Sequence, residues 1–362
     1  MLKFHPLKVK ACSEVAEDAV CIAFELPEAL REAYRFEAGQ HVVLRLPLES
    51  GEDVRRTYSI VCPAGSEELR IGVRVQKGGR ASGWLGKELT PGATLEVLTP
   101  NGSFHTRIEP ERAKRYAAFA AGSGITPVLS IAATVLSREP HSRFTLFYGN
   151  RTTASAMFIE ELLALKNRHL TRFSVHFVMS REPQEIELLN GRLDAVKVRE
   201  LARTFFDVAT VDEYFVCGPG SMVEDVSRAL RELGASGKIH TELFSTADRA
   251  AAPAAPPTVS EREAAAAGRS TAVEIVMDGR RRRFDMLRDG SRSVLDAAAR
   301  AGIELPYSCR AGVCSTCRTK VVRGEVRMER NLALEDWEIE AGYVLCCQAH
   351  PLSEQLELTY DE

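Results

Sequence analysis

The sequence predicts a multidomain chain of three folds in series: an antiparallel β-barrel over 1–110, an α/β domain with a parallel sheet over 111–246, and an α+β domain over 271–362. Three observations carry this. Residues 1–110 are short β-rich runs broken by turn residues, the rhythm then changes to strand followed by helix, and residues 247–270 follow neither pattern. At 362 residues, 45% hydrophobic and 27% charged, the chain can bury several cores without disulfides, which excludes a disordered or fibrous protein. Lys+Arg at 47 against Asp+Glu at 50 leaves no basic excess to neutralise phosphates, so nucleic acid is not an expected partner. Met1–Lys10 carries no signal-like apolar core.

In the barrel the predicted strands are Cys21–Leu26, His41–Leu46, Thr57–Cys62, Leu69–Val75 and Leu95–Leu98. The α/β segment is predicted as strand Tyr116–Ala121, helix Val128–Leu136, strand Phe144–Tyr148, helix Ala156–Leu165, strand Phe173–Met179, helix Asp194–Arg203, strand Tyr214–Cys217 and helix Met222–Leu233. Tyr116–Ser137 holds no charged residue, yet Gly-Ser-Gly and Thr-Pro interrupt it. It reads as a buried strand, a turn and a helix on a sheet rather than a membrane span. The linker 247–270 has ten alanines and three prolines in its 24 residues and no apolar periodicity. The last domain opens with a hairpin turning at Asp278-Gly279 and continues with an amphipathic helix at Val294–Ala301.

Arg56-Thr57-Tyr58-Ser59 falls in a predicted strand, where Arg56 and Tyr58 share a face and Ser59 takes the other. A cation beside an aromatic plane suits a flavin, although a barrel tyrosine commonly serves packing alone. Gly78-Gly79-Arg80-Ala81-Ser82 is a glycine turn entering a short helix, whose free N–H groups and Ser82 hydroxyl can hold a pyrophosphate. Gly122-Ser123-Gly124-Ile125-Thr126-Pro127 follows a buried strand and opens a helix, the context of a dinucleotide turn, but lacks a third glycine. Arg151 and Ser180-Arg181 lie at carboxyl ends of parallel strands, where arginines can pair with a 2′-phosphate and favour NADPH over NADH; solvated surface arginines are the plain alternative. Cys217-Gly218 ends another such strand, where a thiol can lie against a nicotinamide, and Glu242 supplies a carboxylate near the sheet's end.

The strongest signal is Cys309, Cys314, Cys317 and Cys347, spaced C-x4-C-x2-C-x29-C. The first three spacings are those of a plant-type [2Fe–2S] site, with small residues between them whose N–H groups can point at cluster sulfurs. A structural zinc site or inert buried thiols are the alternatives, and spacing alone also allows Cys346 as the fourth ligand. Cys12, Cys21 and Cys62 sit in apolar strand patterns and read as small core residues, and a reducing, cytoplasmic compartment suits the whole set.

RTYS, GGRASGWL, GSGITP, CGP, HTELF and the four-cysteine pattern occur here in the order of the ferredoxin-NADP reductase-like flavoproteins fused to a C-terminal plant-type ferredoxin, a family the chain resembles over essentially its whole length. YGNR, CGPGSMVE and GYVLCCQAHP look like the oxygenase reductases within it. The resemblance implies an FAD-binding barrel, a nicotinamide domain and a β-grasp ferredoxin domain. It implies that Arg56, Tyr58 and Ser59 contact FAD with Ser59 near its reactive nitrogen, that Gly79–Ser82 hold the pyrophosphate, and that Gly122–Pro127 hold the nicotinamide cofactor. Cys217 and Glu242 would border hydride transfer, and Cys347 would be the fourth iron ligand, with the thiol of Cys346 a departure from the family pattern. The implied activity is electron transfer from NADPH, with NADH possible, through FAD to the cluster. The implied acceptor is a separate diiron oxygenase attacking the ring of phenylacetyl-CoA. The alternatives are a reductase for another aromatic-ring oxygenase and a redox-sensing iron–sulfur flavoprotein. Arg280–Arg283 and the acidic Glu335, Asp336, Glu338 and Glu340 are weaker candidates for a docking surface.

Overall fold

The structure, a computed structural model, describes residues 2–48, 53–244, 267 and 269–361. The expected linker lies outside the described residues except for Ala267, Arg269 and Ser270. The chain divides into two compact units, Lys3–Asp248 and Arg249–Glu362.

The first unit opens with a six-stranded antiparallel sheet in the order β4-β3-β6-β1-β2-β5, formed by β1 (Phe4–Ala16), β2 (Ala19–Glu25), β3 (His41–Leu46), β4 (Val54–Ser59), β5 (Leu69–Arg74) and β6 (Thr94–Leu98). Ile60, just after β4, bridges to Ile71 of β5 and brings the two edges together as a barrel. Leu7, Ile22, Leu44, Ile71 and Val97, buried, fill it. The strand expected at Thr57–Cys62 starts three residues earlier, and β1 was not expected at all although it pairs with both β2 and β6. Its sequence FHPLKVKACSEVA buries only Leu7 and Val9 and points its charged residues outward, so its apolar signal is thin.

Five parallel strands follow, β7 (Arg115–Ala121), β8 (Arg143–Asn150), β9 (Phe173–Met179), β10 (Glu213–Gly218) and β11 (Lys238–Leu243), ordered β11-β10-β7-β8-β9. The connecting helices are α2 (Ile125–Arg138), α3 (Ile159–Arg168), α4 (Ala195–Phe205) and α5 (Gly220–Glu232), and a shorter α1 (Arg80–Lys87) belongs to the barrel. The uncharged stretch Tyr116–Ser137 is β7 and most of α2, buried between sheet and barrel. No helix among the described residues is long and apolar enough to cross a membrane. Barrel and sheet are joined by Ser130 Oγ donating to Cys62 O at 2.6 Å, the Ala64 N–H donating to Thr134 Oγ1 at 2.9 Å, and an Arg70–Glu161 ion pair at 3.1 Å.

The second unit is α+β. Its sheet runs β13-β12-β18-β14-β16, with β12 (Ser270–Met277) antiparallel to β13 (Arg280–Leu287) and parallel to β18 (Gln355–Thr359), while β14 (Arg318–Arg323) pairs with β18 and β16 (Tyr343–Leu345). A small second sheet joins β15 (Val326–Met328) to β17 (Ala349–Pro351). Asp278 and Gly279 both take positive φ, 56° and 69°, as a two-residue type I′ hairpin turn requires. The helix Val294–Arg300 is capped by Ser293 and packs its apolar side into the core with Val273, Ile275, Leu345 and Leu358. These elements match the expected β-grasp arrangement. Two of the four hairpin arginines are not free for a partner: Arg281 and Arg283 pair with Glu274 of their own sheet, and Arg281 also with Glu357.

The first unit depends on one buried carboxylate at the C-terminal end of α2. Glu139 accepts hydrogen bonds from Tyr116 Oη at 2.9 Å, Ser142 Oγ at 2.7 Å and the Glu109 N–H at 2.8 Å. Glu139→Ala removes the acceptor of two buried hydroxyls and of one partly buried N–H and is expected to lower unfolding free energy by ~3 kcal/mol in urea titrations; a loss under ~1 kcal/mol would show that the donors find other partners.

Candidate functional site

Alternation along β4 exposes Arg56, half-buries Thr57 and Tyr58 and buries Ser59, which pairs across the ladder with His41. Arg56 Nη1 donates to the Arg55 carbonyl at 2.8 Å, whereas the buried guanidinium of Arg55 is held by Asp53 at 2.7 Å. Burial raises the Tyr58 phenol above its ordinary value, so it stays neutral. Ser59 Oγ is buried with no hydrogen-bond partner among the described residues, an unsatisfied hydroxyl of the kind a bound polar ligand completes.

Gly78, at φ 75°, turns the chain into α1, and Gly79 is its N-cap residue. A Cβ on Gly79 would stand 2.7 Å from Ser82 Oγ and 2.9 Å from Gln76 Cβ, so only glycine fits. Ser82 Oγ accepts from the Gln76 N–H at 3.0 Å and stands 3.5 Å from the Gly79 carbonyl, which closes the turn at the start of α1.

Across from this turn, Gly122–Gly124 form one 3-10 turn between β7 and α2, with Pro127 in the first turn of the helix. Thr126 Oγ1 donates to Ser123 O at 2.9 Å, and Tyr148 Oη donates to Gly122 O at 3.0 Å. A Cβ on Gly124 would overlap the Cys217 carbonyl, and one on Gly218 would touch Met222 Cε at 3.0 Å. Cys217 is fully buried; burial, then the nearby Glu242 carboxylate, pushes its thiol well up. Its Sγ is 4.0 Å from Glu242 Oε2, and Glu242 Oε1 is 3.9 Å from His41 Nδ1. His41 therefore meets the sheet-end carboxylate from the barrel side, a residue the sequence reading missed; the available signal was a polar side chain at the start of the apolar run of β3.

A cavity of about 1470 Å³ joins the two glycine turns. Its wall includes Gly79 and Arg80 from the barrel, Gly122 and Gly218 from the strand ends, and Arg151, Ser180 and Arg181 beside them. Arg56, Thr57, Tyr58, Ser59, Ala81, Ser82, Gly124, Thr126, Pro127, Cys217 and Glu242 are not part of this wall. Arg151 is not a solitary cation: Nη2 pairs with Asp18 Oδ2 at 2.7 Å, and Arg74 binds the same carboxylate. Arg181 is exposed at the strand end, and Ser180 Oγ donates to Asn150 O at 3.2 Å. Arg192, also exposed on the wall, was not anticipated.

In the second unit the thiols of Cys309 and Cys314, of Cys317 and Cys347, and of Cys309 and Cys347 interact pairwise. Cys314, Cys317 and Cys347 are buried and Cys309 is partly exposed. The Ala311 N–H donates to Cys309 Sγ at 3.3 Å, and Arg310, Gly312 and Ser315 all take positive φ to wrap the loop. Among the described residues no three His, Cys, Asp or Glu side chains close round a single-ion position. The sulfurs form two linked pairs, a donor set of thiols alone with backbone N–H support, which fits a two-iron cluster. Cys346 lies elsewhere: Tyr360 Oη donates to its Sγ at 3.1 Å in the core, where burial raises the thiol to about 12. Cys12 is only partly buried, unlike Cys21 and Cys62. Glu338, expected on an acidic surface, is fully buried and pairs with Arg318 at 3.1 Å.

Such a site, a dinucleotide-sized cavity between a barrel and a parallel sheet with a four-thiol loop elsewhere in the chain, defines a flavin- and nicotinamide-dependent iron–sulfur oxidoreductase. Family models agree: an oxidoreductase FAD-binding domain matches residues 6–106, an oxidoreductase NAD-binding domain 119–228, and a 2Fe-2S iron-sulfur cluster binding domain 276–352. The chain is 42% identical to one of the subunits of 1,2-phenylacetyl-CoA epoxidase of Escherichia coli (strain K12), covering 100% of this chain and 99% of that one. It is 33% identical to the ferredoxin reductase component of 3-ketosteroid-9-alpha-monooxygenase from Rhodococcus rhodochrous, covering 98% and 96%. Phthalate dioxygenase reductase shares the fold with a TM-score of 0.59 at 24% identity, covering 98% of each chain. An intact type IV self-sufficient cytochrome P450 monooxygenase gives 0.68 at 23% identity, with 98% of this chain spanning 41% of that longer one. The chain belongs to the family of three-domain FAD, NAD and [2Fe–2S] reductases that includes this phenylacetyl-CoA epoxidase component.

Burial lowers the His41 imidazole to about 4, against a smaller opposite effect from Asn101, so His41 is neutral at ordinary pH. Because the unfolded chain binds its proton near pH 6.5, the folded state loses stability as pH falls from about 6.5 to about 4. His41→Gln is expected to flatten that part of a stability profile, a change of ~3 kcal/mol across it; a profile identical to the wild type would contradict the assignment.

Proposed function

We propose that the protein is the reductase component of an oxygenase system, drawing electrons from NADPH and delivering them singly to a diiron oxygenase, the epoxidase that acts on phenylacetyl-CoA. The cavity that joins the barrel's glycine turn to the strand-end glycines carries this reading, since a dinucleotide laid in it meets both turns. The acceptor is suggested by the relatives, a phenylacetyl-CoA epoxidase component and a ketosteroid monooxygenase component. Nine free cysteines suit a reducing, cytoplasmic setting.

When bound, the flavin takes an electron pair as hydride from the nicotinamide and releases single electrons to the [2Fe–2S] centre. The chain's own residues bind, orient and tune. First-turn N–H groups of α1 and the Gly78-Gly79 turn take the FAD pyrophosphate, with Arg80 beside them, and Tyr58 offers a neutral aromatic face beside Arg56. Ser59, opposite His41 in the ladder, has a buried unsatisfied hydroxyl and is assigned as a hydrogen-bond partner for the isoalloxazine. Gly122, Gly124, Thr126 and Pro127 shape the nicotinamide cofactor's turn. Cys217, kept neutral by burial, lies directly behind the wall residue Gly218 and is assigned to the nicotinamide end of the site, and Glu242, between Cys217 and His41, orients that end. Cys309, Cys314, Cys317 and Cys347 supply the thiolates for iron. Arg181, rather than the Asp18-paired Arg151, is the stronger candidate for a 2′-phosphate.

An anaerobic titration with NADPH and separately with NADH should bleach the flavin band and the broader iron–sulfur absorbance in stoichiometric steps; a protein carrying neither chromophore overturns the reading. Ser59→Ala and Cys217→Ala should each slow flavin reduction in stopped flow by ~10-fold or more with cofactors retained, and wild-type rates would refute those roles. Arg181→Ala should raise KM for NADPH ~10-fold more than for NADH, with Arg151→Ala the smaller effect. Equal losses for both nucleotides would remove Arg181 from 2′-phosphate recognition.

A further inference from the structure

The carboxamide of Gln348 lies between the two segments that carry the four cysteines. Gln348 is buried, and its Nε2 stands 3.5 Å from Cys347 Sγ, 2.9 Å from the Cys347 carbonyl and 3.2 Å from the Arg310 carbonyl. Two carbonyl oxygens flank that end of the amide, so it must be the donor nitrogen, because the amide oxygen there would face acceptors only; its two hydrogens are shared among those oxygens and the sulfur, which takes the longest arm of a bifurcated donor. The residue is anchored on both sides: its N–H donates to Leu345 O at 2.8 Å and its carbonyl accepts from the Glu329 N–H at 2.8 Å. The loop packs on its side chain, for a Cβ on Gly312 would stand 3.2 Å from Gln348 Cγ and 3.1 Å from Arg330 O. Cys309 receives its N–H from the backbone of Ala311, which no side-chain change removes. The donor facing Cys347 is a side chain.

We propose that Gln348 is a positioning and tuning residue for the iron–sulfur centre, donating an N–H···S hydrogen bond to Cys347 that raises its reduction potential. The proposal rests on the reading of Cys347 as an iron ligand. Reduction adds negative charge that is shared with the ligand sulfurs, so a fixed donor stabilises the reduced state more than the oxidised one, and in a buried site this difference is weakly screened. The Arg310 contact adds a second task, since it ties the fourth-ligand segment to the loop of the first three.

The test is an EPR-monitored redox titration of the full chain with its cofactors. Gln348→Met keeps the bulk and removes the donor; its midpoint should fall below the wild type, a threefold to tenfold change in the reduced-to-oxidised ratio at fixed potential, where tenfold is about 59 mV for one electron. Gln348→Glu should fall further, since it also adds negative charge, and flavin absorbance should be unchanged in both. A fully loaded Gln348→Met protein with the wild-type midpoint overturns the proposal. Should that variant not load, pulsed EPR of reduced wild type with 15N in its glutamine side chains decides: a nitrogen coupling supports the donor and its absence overturns it. A wild-type chain showing no reduced [2Fe–2S] signal at all would instead overturn the reading of the cysteines.

Discussion

The parallel pairing of β7 with β10 is the constraint on which the first unit's site depends. In the order β11-β10-β7-β8-β9 the chain leaves β7 toward β8 on one side and returns as β10 on the other, so the crevice between their carboxyl ends is left uncovered by any crossover. α2 starts from that crevice only because Gly124 has no Cβ to strike the Cys217 carbonyl. The same contact seats α2 against the barrel, where Ser130 and Thr134 bond to the backbone of Cys62 and Ala64. One close backbone approach thus positions the glycine turn, the Cys217 thiol and the barrel.

Charge reinforces this arrangement. Asp18, in the tight turn between β1 and β2, holds Arg74 of the barrel and Arg151 at the end of β8. Arg74 also donates to Ser155 O at 2.7 Å, so a single carboxylate clamps strand ends from two sheets at the edge of the cavity. The pairs are partly shielded and gain from each other's geometry more than an exposed pair would. Arg151 is then a joint between sheets before it is a contact for any nucleotide.

What was legible in the sequence was whatever a local period or a rigid spacing encodes. Phe173–Met179 and His41–Leu46 read directly as strands because their apolar runs are bounded by turns, and Asp278-Gly279 read as a hairpin because both residues tolerate positive φ. The four cysteines were legible because their spacing is itself the chemistry. β1 was hidden because its burial comes from two neighbouring strands rather than from its own pattern. His41, the Asp18 clamp and the burial of Glu338 depend on contacts far apart in sequence, between His41 and Glu242, Asp18 and Arg151, and Glu338 and Arg318, which no period announces.

The two adjacent cysteines show how a tight turn divides neighbouring side chains once register is known. Spacing left Cys346 and Cys347 equivalent, but the two are the central residues of a turn that leaves β16, closed by the Gln348 N–H donating to Leu345 O at 2.8 Å, and their side chains part there. Leu345 pairs with Arg318 in the ladder and the Cys346 N–H donates to Cys317 O at 3.1 Å, which fixes the register just before both thiols. Cys346 consequently enters the core, where the buried Tyr360 hydroxyl donates to it, and Cys347 is left facing Cys309 and Cys317. A thiol in the core costs nothing there, because sulfur packs like a small apolar group and its one polar demand is met. The proposal of Cys347 as the ligand therefore rests on where this turn sends each thiol and on the partner each one meets there, rather than on spacing.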